Sequence, residues 1–333
     1  MHLLFFRIRM AITVPVNHSP TQKVPRGMEI PIELRRMPPH ATLAWVAGHF
    51  GPKARVIGIR RLRNAWAAAM HAVDVEDGHG ERHELVVRRW VRPDAPPDPG
   101  VVENESATLT LLSGATEVIA PLLVAADASG SAADVPAVVM TRLPGHDDLA
   151  PSDLDAYLDG LVDALHAIHA VPVPPDIELE TYRPWGLERL TEPPPWTRRR
   201  SVWQRAISIA RGPIPAYTTV FCHRDYHPGN VLWHNGRVSG VVDWTHACRG
   251  PAAADVSHCR ANLTLLFGLD VADDFGRRYG PVDDLAWFDL ITQVGFGELS
   301  TWRWHDAGRF DIDEESLIRA GDALLVSAVE RLG

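Results

Sequence analysis

The chain has 333 residues, 46% of them hydrophobic and 23% charged, with a formal net charge of −9. That length allows two lobes with separate cores, and the negative balance argues against a protein held to nucleic acid by phosphate contacts. No run reaches the roughly 18 apolar residues of a membrane span, so a cytoplasmic chain with neither nucleic acid nor membrane as partner is expected.

The three cysteines, Cys222, Cys248 and Cys259, are odd in number and show no CxxC spacing, which argues against a disulfide framework or zinc site and fits a reducing compartment. The opening "MHLLFFRIRMAITVPV" is broken by Arg7 and Arg9 and lacks a small-residue cleavage site, so it does not read as a signal peptide. Residues 1–35 are Pro-rich without a period and read as an extended arm. "PHATLAWVAGHFG" then reads as a short helix ending at Gly51. "ARVIGI", "MHAVDV" and "HELVVRRWVR" follow as strands, the last two joined by a turn at "EDGHGE". "ENESATLTLLSG" is a helix closed by Gly114, and "TEVIAPLLVAAD" with "PAVVMTRL" forms another strand pair.

The pattern changes after residue 143. Leu154, Leu158, Leu161, Leu165 and Ile168 share one helical face, with Ser152 as N-cap and Pro172 as stop. Residues 176–217 read as loops around one or two helices, with "TRRRS" as a solvated surface run. Residues 252–333 read as several helices, whose acids between 283 and 315 could face a cationic ligand. The expected fold class is α+β: an arm over 1–35, a small antiparallel-sheet N-lobe over 36–143 and a larger, mainly helical C-lobe over 144–333.

Between the helical segments lies "HRDYHPGNVLWHNGRVSGVVDW". Asn235-Gly236 between apolar runs is a strong hairpin signal. Counting back from that turn pairs Asn230 with Val241 and leaves Asn230 and Asp243 at the open end, with Asp225 across the "HPG" turn. Three oxygen-bearing side chains then converge. Such a set suits a hard cation such as Mg²⁺, which takes one or two carboxylates from protein, and leaves one acid to receive or orient a hydroxyl proton. Taken singly, Asn230 would be a turn residue and Asp243 a strand end; their joint spacing with Asp225 reverses that reading. His227, His234 and His246 show no ligand spacing, and His166 with His169 on an apolar helix face reads as packing.

The spacing is that of a kinase-like HxDxxxxN loop with a metal-binding Asp after a short hairpin. In its local form the stretch resembles the aminoglycoside phosphotransferase and choline kinase family. The resemblance implies a bilobal protein-kinase-like fold, with Asp225 as catalytic base or hydroxyl-positioner, Asn230 and Asp243 as Mg²⁺ ligands and His223 as loop scaffold. Arg224 stands where the family usually has Gly. "RGPAAADVSH" resembles the family's step in which an Asp, here Asp255, supports the catalytic loop through backbone hydrogen bonds. Only eleven residues separate Asp243 from Asp255, too few for a peptide-docking segment, so a small-molecule acceptor is implied.

The same resemblance places Arg88 at the family's β3 lysine, where it would hold nucleotide phosphates, and pairs it with Glu105 rather than Glu103. "AVVMTRLPG" resembles the hinge strand, so the backbone of Met140, Thr141 and Arg142 would meet the base of ATP or GTP. One part departs: "GIRRLRNAWAAAMHAV" is longer than the family's Gly-rich phosphate loop, and only Gly58 and Asn64 match it. Arg60, Arg61 and Arg63 could neutralise phosphate or face solvent. The reading implied is a Mg²⁺-dependent small-molecule phosphotransferase; an aminoglycoside, a macrolide, choline or another hydroxyl acceptor all stay open. Two alternatives are a kinase-fold binding protein weak in catalysis and a metal-dependent hydrolase.

Overall fold

The computed structural model describes residues 32–62, 68–92, 100–185, 192–295, 304, 307–309 and 311–333. The expected arm lies outside these up to residue 31; its last residues form a helical turn, α1 (Ile32–Arg35), that buries Leu34. The chain divides into two compact units, one running to Ser106 and resuming over Leu123–Arg142, the other holding Ala107–Leu122 and Leu143–Gly333.

The first unit is a sheet of β1 (Arg55–Arg61), β2 (Ala69–Glu76), β3 (Arg82–Arg89), β4 (Leu123–Asp127) and β5 (Ala137–Thr141) in the order β1-β2-β3-β5-β4. Every pairing is antiparallel. Alternation in β2 and β3 puts Val73, Val75, Leu85 and Val87 on one face, where they bury against Val46 and Ala47 of α2 (His40–Gly48). The β2–β3 turn forms where expected: Asp77 Oδ1 accepts the N–H groups of His79 and Glu81, and Gly80 sits at φ 82°. Helix α3 (Val101–Leu112) also forms as read. Gly58 lies within β1, its missing Cβ leaving room for Asp74 Oδ2 at 2.9 Å. The connection to β2 therefore starts only after Leu62; Arg63 and Asn64 lie outside the described residues.

One residue of this unit carries a pH-dependent cost. His71 is fully buried on β2, and neither ring nitrogen has a hydrogen-bond partner among the described residues. Burial, then the charges of Arg89 and Arg61, push its pKa down to about 4. Above pH ~6.5 the ring is neutral in both native and unfolded chains, so nothing is lost. As pH falls from there towards 4, the unfolded chain takes a proton that the native ring refuses. The fold loses about 3 kcal/mol over that window. Urea unfolding at about pH 7 and 4.5 should show a smaller drop for His71→Leu than for the natural chain; equal drops would contradict this account.

The second unit opens with β6 (His146–Asp147) and α4 (Leu154–His169). Its cap is Asp153 rather than Ser152: the Asp153 carboxylate accepts from Ala156 N–H at 3.0 Å. Leu158, Leu161, Leu165 and Ile168 are buried as the spacing requires, while Leu154 is half-buried. After β7 (Glu180–Thr181) come α5 (Arg200–Ala210) and β8 (Thr219–Cys222), then the hairpin of β9 (Val231–His234) and β10 (Arg237–Val241). Asn235 and Gly236 both take positive φ, 51° and 73°, as a two-residue hairpin turn demands. Gly160 of α4 lets the Trp233 ring approach, since a Cβ there would lie 2.6 Å from it. β11 (Cys248–Pro251) pairs with β8 and runs directly into α6 (Ala252–Phe267).

Helices α7 (Leu269–Tyr279), α8 (Leu285–Gly295) and α9 (Glu314–Arg331) complete the unit. Trp203, Phe288, Leu290, Leu325 and Ala328 join α5, α8 and α9 in one core. Arg260 of α6, almost wholly buried, grips both oxygens of Asp289 at 3.1 Å and also meets Asp273. The "TRRRS" run is partly structural: Thr197 bonds Asp322 and Arg198 pairs with Glu315. All three cysteines are buried free thiols. Among the described residues no helix is long and apolar enough to cross a membrane.

Candidate active site

Strand β8 leads into the loop at His223, and the first turn of α6 holds that loop. Asp255, fully buried, accepts the backbone N–H of His223 on Oδ2 at 2.8 Å and that of Arg224 on Oδ1 at 2.7 Å. The role implied for it by resemblance is thus matched by its contacts. Burial pushes the Asp255 carboxyl up, but the hydrogen bond and charge of His169 outweigh it, and the net direction is down. His169 donates from Nε2 to Asp255 Oδ2 at 3.1 Å, while its Nδ1 meets the Tyr279 hydroxyl at 2.7 Å. His166 stacks on the same Tyr279 ring. The HxxH pair is therefore an anchor behind the loop.

His223 links the loop to the hairpin. Its Nε2–H donates to the Val242 carbonyl at 2.9 Å, which leaves Nδ1 to accept the Asp225 N–H at 3.3 Å. Arg224 takes φ 74°, a left-handed conformation that glycine adopts without strain and arginine does not. Its guanidinium lies 3.8 Å over the Trp185 ring and 4.7 Å from that of Tyr182, and also donates to the Arg183 carbonyl. Stacking of this kind contributes about 1–2 kcal/mol when desolvated, comparable to the backbone strain of about 1–2 kcal/mol. Arginine is thus accommodated at the family's glycine position.

Asp225, Asn230 and Asp243 come from one short stretch. Asn230 directs its Nδ2 at the Asp225 carbonyl at 2.9 Å and lies 3.4 Å from Asp225 Oδ2, so its amide oxygen must point the other way. The hairpin register differs from the simple count. A bulge at Ser239 makes Val241 pair with Val231, and the Asn230 carbonyl accepts the N–H of Val242 instead. Asp243 follows at once, in the left-handed region at φ 70°, with its Oδ1 accepting from the Thr245 hydroxyl at 2.9 Å. Oxygen donors from Asn230 and Asp243 at the mouth of one hairpin fit a hard divalent cation.

Asp225 has a partner that the sequence reading missed. His258, on α6 one turn beyond Asp255, places Nε2 3.0 Å from Asp225 Oδ1. Burial pushes the Asp225 carboxyl up, but the His258 hydrogen bond and the neighbouring imidazoles hold it well below the usual carboxylate range. His227 is also near: ligand atoms of Asp225, His227 and His258 lie within 4.8 Å of one another. His227 Nδ1 accepts the Gly229 N–H at 3.0 Å and so fixes the "HPG" turn. Of the acids expected over 283–315, four of the described ones are engaged elsewhere, while Glu298 and Asp306 lie outside the described residues. Asp289 pairs with Arg260 and Arg331, Asp311 with Arg309 and Glu315 with Arg198, while Asp313 caps α9.

In the first unit, Arg88 and Glu105 are both buried and meet at 3.4 Å. Glu103 lies in the first turn of α3 and is exposed. Met140 and Thr141 end β5, opposite Val86 and Leu85. Arg142 is committed within the sheet: its N–H donates to the Glu84 carbonyl and its guanidinium pairs with Asp74 and Glu84. A base contact through the Arg142 amide would require breaking the Glu84 bond.

A five-stranded antiparallel unit and a helical unit that presents an HxDxxxxN loop define the protein-kinase-like class of fold. Within that class the chain belongs to the phosphotransferase enzyme family, whose sequence model it matches over residues 43–291. Solved structures agree on the fold. A thermostable mutant of aminoglycoside phosphotransferase APH(4)-Ia, in a ternary complex with ADP and hygromycin B, superposes with a TM-score of 0.56 at 16% identity, covering 87% of this chain and 98% of that one. A type I macrolide 2'-phosphotransferase gives 0.55 at 21% identity, covering 85% and 95%. The macrolide 2'-phosphotransferase MphH from Brachybacterium faecium gives 0.52 at 19%, covering 82% and 95%. No curated protein sequence matches the chain.

Proposed function

We propose that the protein transfers the γ-phosphoryl group of ATP or GTP to a hydroxyl of a small molecule. The observation that carries this reading is the coupling of Asp225 to Asn230, with Asp243 directly after the strand that pairs beside it. Asp225 takes or orients the proton of the attacking hydroxyl; a pKa below the usual carboxylate range keeps it ionised, as an acceptor of that hydroxyl's hydrogen bond. Asn230 and Asp243 would hold Mg²⁺, which when bound neutralises charge on the nucleotide phosphates. Arg88, fixed by Glu105, holds phosphate oxygens through its guanidinium fork. The first unit, bounded at 36–143 in the sequence reading, binds the nucleotide, with the backbone of Met140, Thr141 and, through its carbonyl rather than its amide, Arg142 as its base-contacting strand. Residues 144–333 carry the catalytic loop and the acceptor site.

Relatives solved with ADP and hygromycin B, or named for macrolides, support an antibiotic-like acceptor. Four acids of the 283–315 stretch are held in ion pairs or a helix cap, so neutral alcohols belong in the test beside amines. Turnover is measured with ATP and with GTP, in Mg²⁺, across aminoglycosides, macrolides, choline, simple amino alcohols and neutral sugars and alcohols. At least one acceptor should be phosphorylated on oxygen, and chelating Mg²⁺ should abolish the reaction. Nucleotide binding that is indifferent to Mg²⁺, with no acceptor phosphorylated, would favour a binding protein instead.

A further inference from the structure

Asp255 fixes the backbone ahead of Asp225, but it cannot choose among the staggered χ1 wells of the Asp225 side chain. That choice matters, because a proton acceptor must sit within hydrogen-bond reach of the hydroxyl it serves. The loop gives limited help: the Asn230 amide lies 3.4 Å from Oδ2, a long contact. The closest contact to the carboxylate comes from His258, whose Nε2 lies 3.0 Å from Oδ1. The imidazole is itself held. Its side chain is 4% exposed, against 26% for Asp225, the Trp185 ring meets it edge-on at 5.8 Å, and the His227 ring lies at 5.8 Å.

We propose that His258 is a positioning residue for phosphoryl transfer: its Nε2–H holds Oδ1 of Asp225 and thereby presents Oδ2 to the acceptor hydroxyl. One helical turn then serves the whole loop. Asp255 grips the backbone of residues 223 and 224, and His258, three residues later on the same helix, grips the side chain of residue 225. The imidazole donates through Nε2 to a carboxylate that can only accept. The inference rests on the phosphotransfer reading but concerns a residue which that reading does not require.

The test compares the natural chain with His258→Ala and His258→Gln, because a glutamine amide carries an N–H donor the same number of bonds from Cα as Nε2. The readout is steady-state transfer from ATP or GTP to the best acceptor from the panel. His258→Ala should lower kcat on the order of 100-fold, the usual consequence of a reacting group displaced by about 1 Å. The nucleotide KM should stay within about twofold, since ground-state binding is untouched. His258→Gln should restore most of the rate. An unchanged kcat in the alanine variant, or a glutamine variant as slow as alanine, would overturn the proposal. Crystal structures of the three proteins read the carboxylate without any acceptor. Asp225 should leave its rotamer in His258→Ala and keep it in His258→Gln; an unmoved carboxylate in the alanine variant would also overturn it. If the natural chain phosphorylates nothing, it is the proposed function that fails, and the crystallographic comparison alone decides the role of His258.

Discussion

Asp225→Ala should lower kcat for phosphoryl transfer by about a thousandfold while moving the nucleotide KM little. The acceptor hydroxyl is a weak nucleophile until its proton has somewhere to go. Among the described residues of the loop, Asp225 is the carboxylate held from both sides, by His258 and by Asn230. Asp225→Asn is the sharper variant. It retains shape and one oxygen to accept from His258, but its amide nitrogen cannot take a proton, so its rate should be as low as that of alanine. An asparagine variant near the natural rate would reduce Asp225 to a spacer.

The second large effect is on stability. Asp255 accepts two buried backbone N–H groups and the imidazole of His169, all within 3.1 Å. Asp255→Ala leaves those donors without an acceptor. At about 1–3 kcal/mol for each stranded buried group, the expected loss is about 4 kcal/mol in urea unfolding. Asp255→Asn should cost nearly as much, because its NH₂ would face one backbone N–H, donor against donor. Both variants should lose activity beyond their loss of stability, since the backbone around Asp225 would no longer be fixed. A drop below about 1 kcal/mol would mean that water replaces the carboxylate and that the anchor matters little.

The hairpin was legible because Asn235-Gly236 solves a local problem: both turn residues need positive φ, which few residues adopt cheaply. Its register was not, because the bulge has a tertiary cause. Ser239 donates to the Pro144 carbonyl at 2.6 Å, and a Cβ on Gly240 would lie 2.3 Å from Leu143, so the strand is bent by its neighbours. The same holds for "TEVIAPLLVAAD", where only Leu123–Asp127 joins the sheet. Ile119 instead gives its carbonyl to the Val241 N–H of the hairpin, a bond between segments far apart in sequence.

The residues of the candidate site divide the same way. Asp225, Asn230 and Asp243 sit within one local motif, whose spacing singles them out in the sequence; the contact of Asn230 with Asp225 follows from it. Glu105 is separable from Glu103 only through the family resemblance; the structure pairs Glu105 with Arg88 and leaves Glu103 exposed. His258 gave no such signal. It lies on a helix that is buried on nearly every face, so no apolar stripe shows which side chains turn towards the loop. In hindsight the Asp-x-x-His spacing, one helical turn after Pro251, was the clue. The anchor at His169 was masked for a related reason: a histidine on an apolar face reads as packing until its polar partners, Asp255 and Tyr279, are known.

The central claim is that Asn230 and Asp243 hold a divalent cation for the bound nucleotide. Crystals grown with Mn²⁺ and a non-hydrolysable ATP or GTP analogue test it by anomalous scattering. The account predicts a manganese peak about 2.0–2.4 Å from side-chain oxygens of both Asn230 and Asp243 and from phosphate oxygens. A bound nucleotide whose manganese touches neither residue would contradict it.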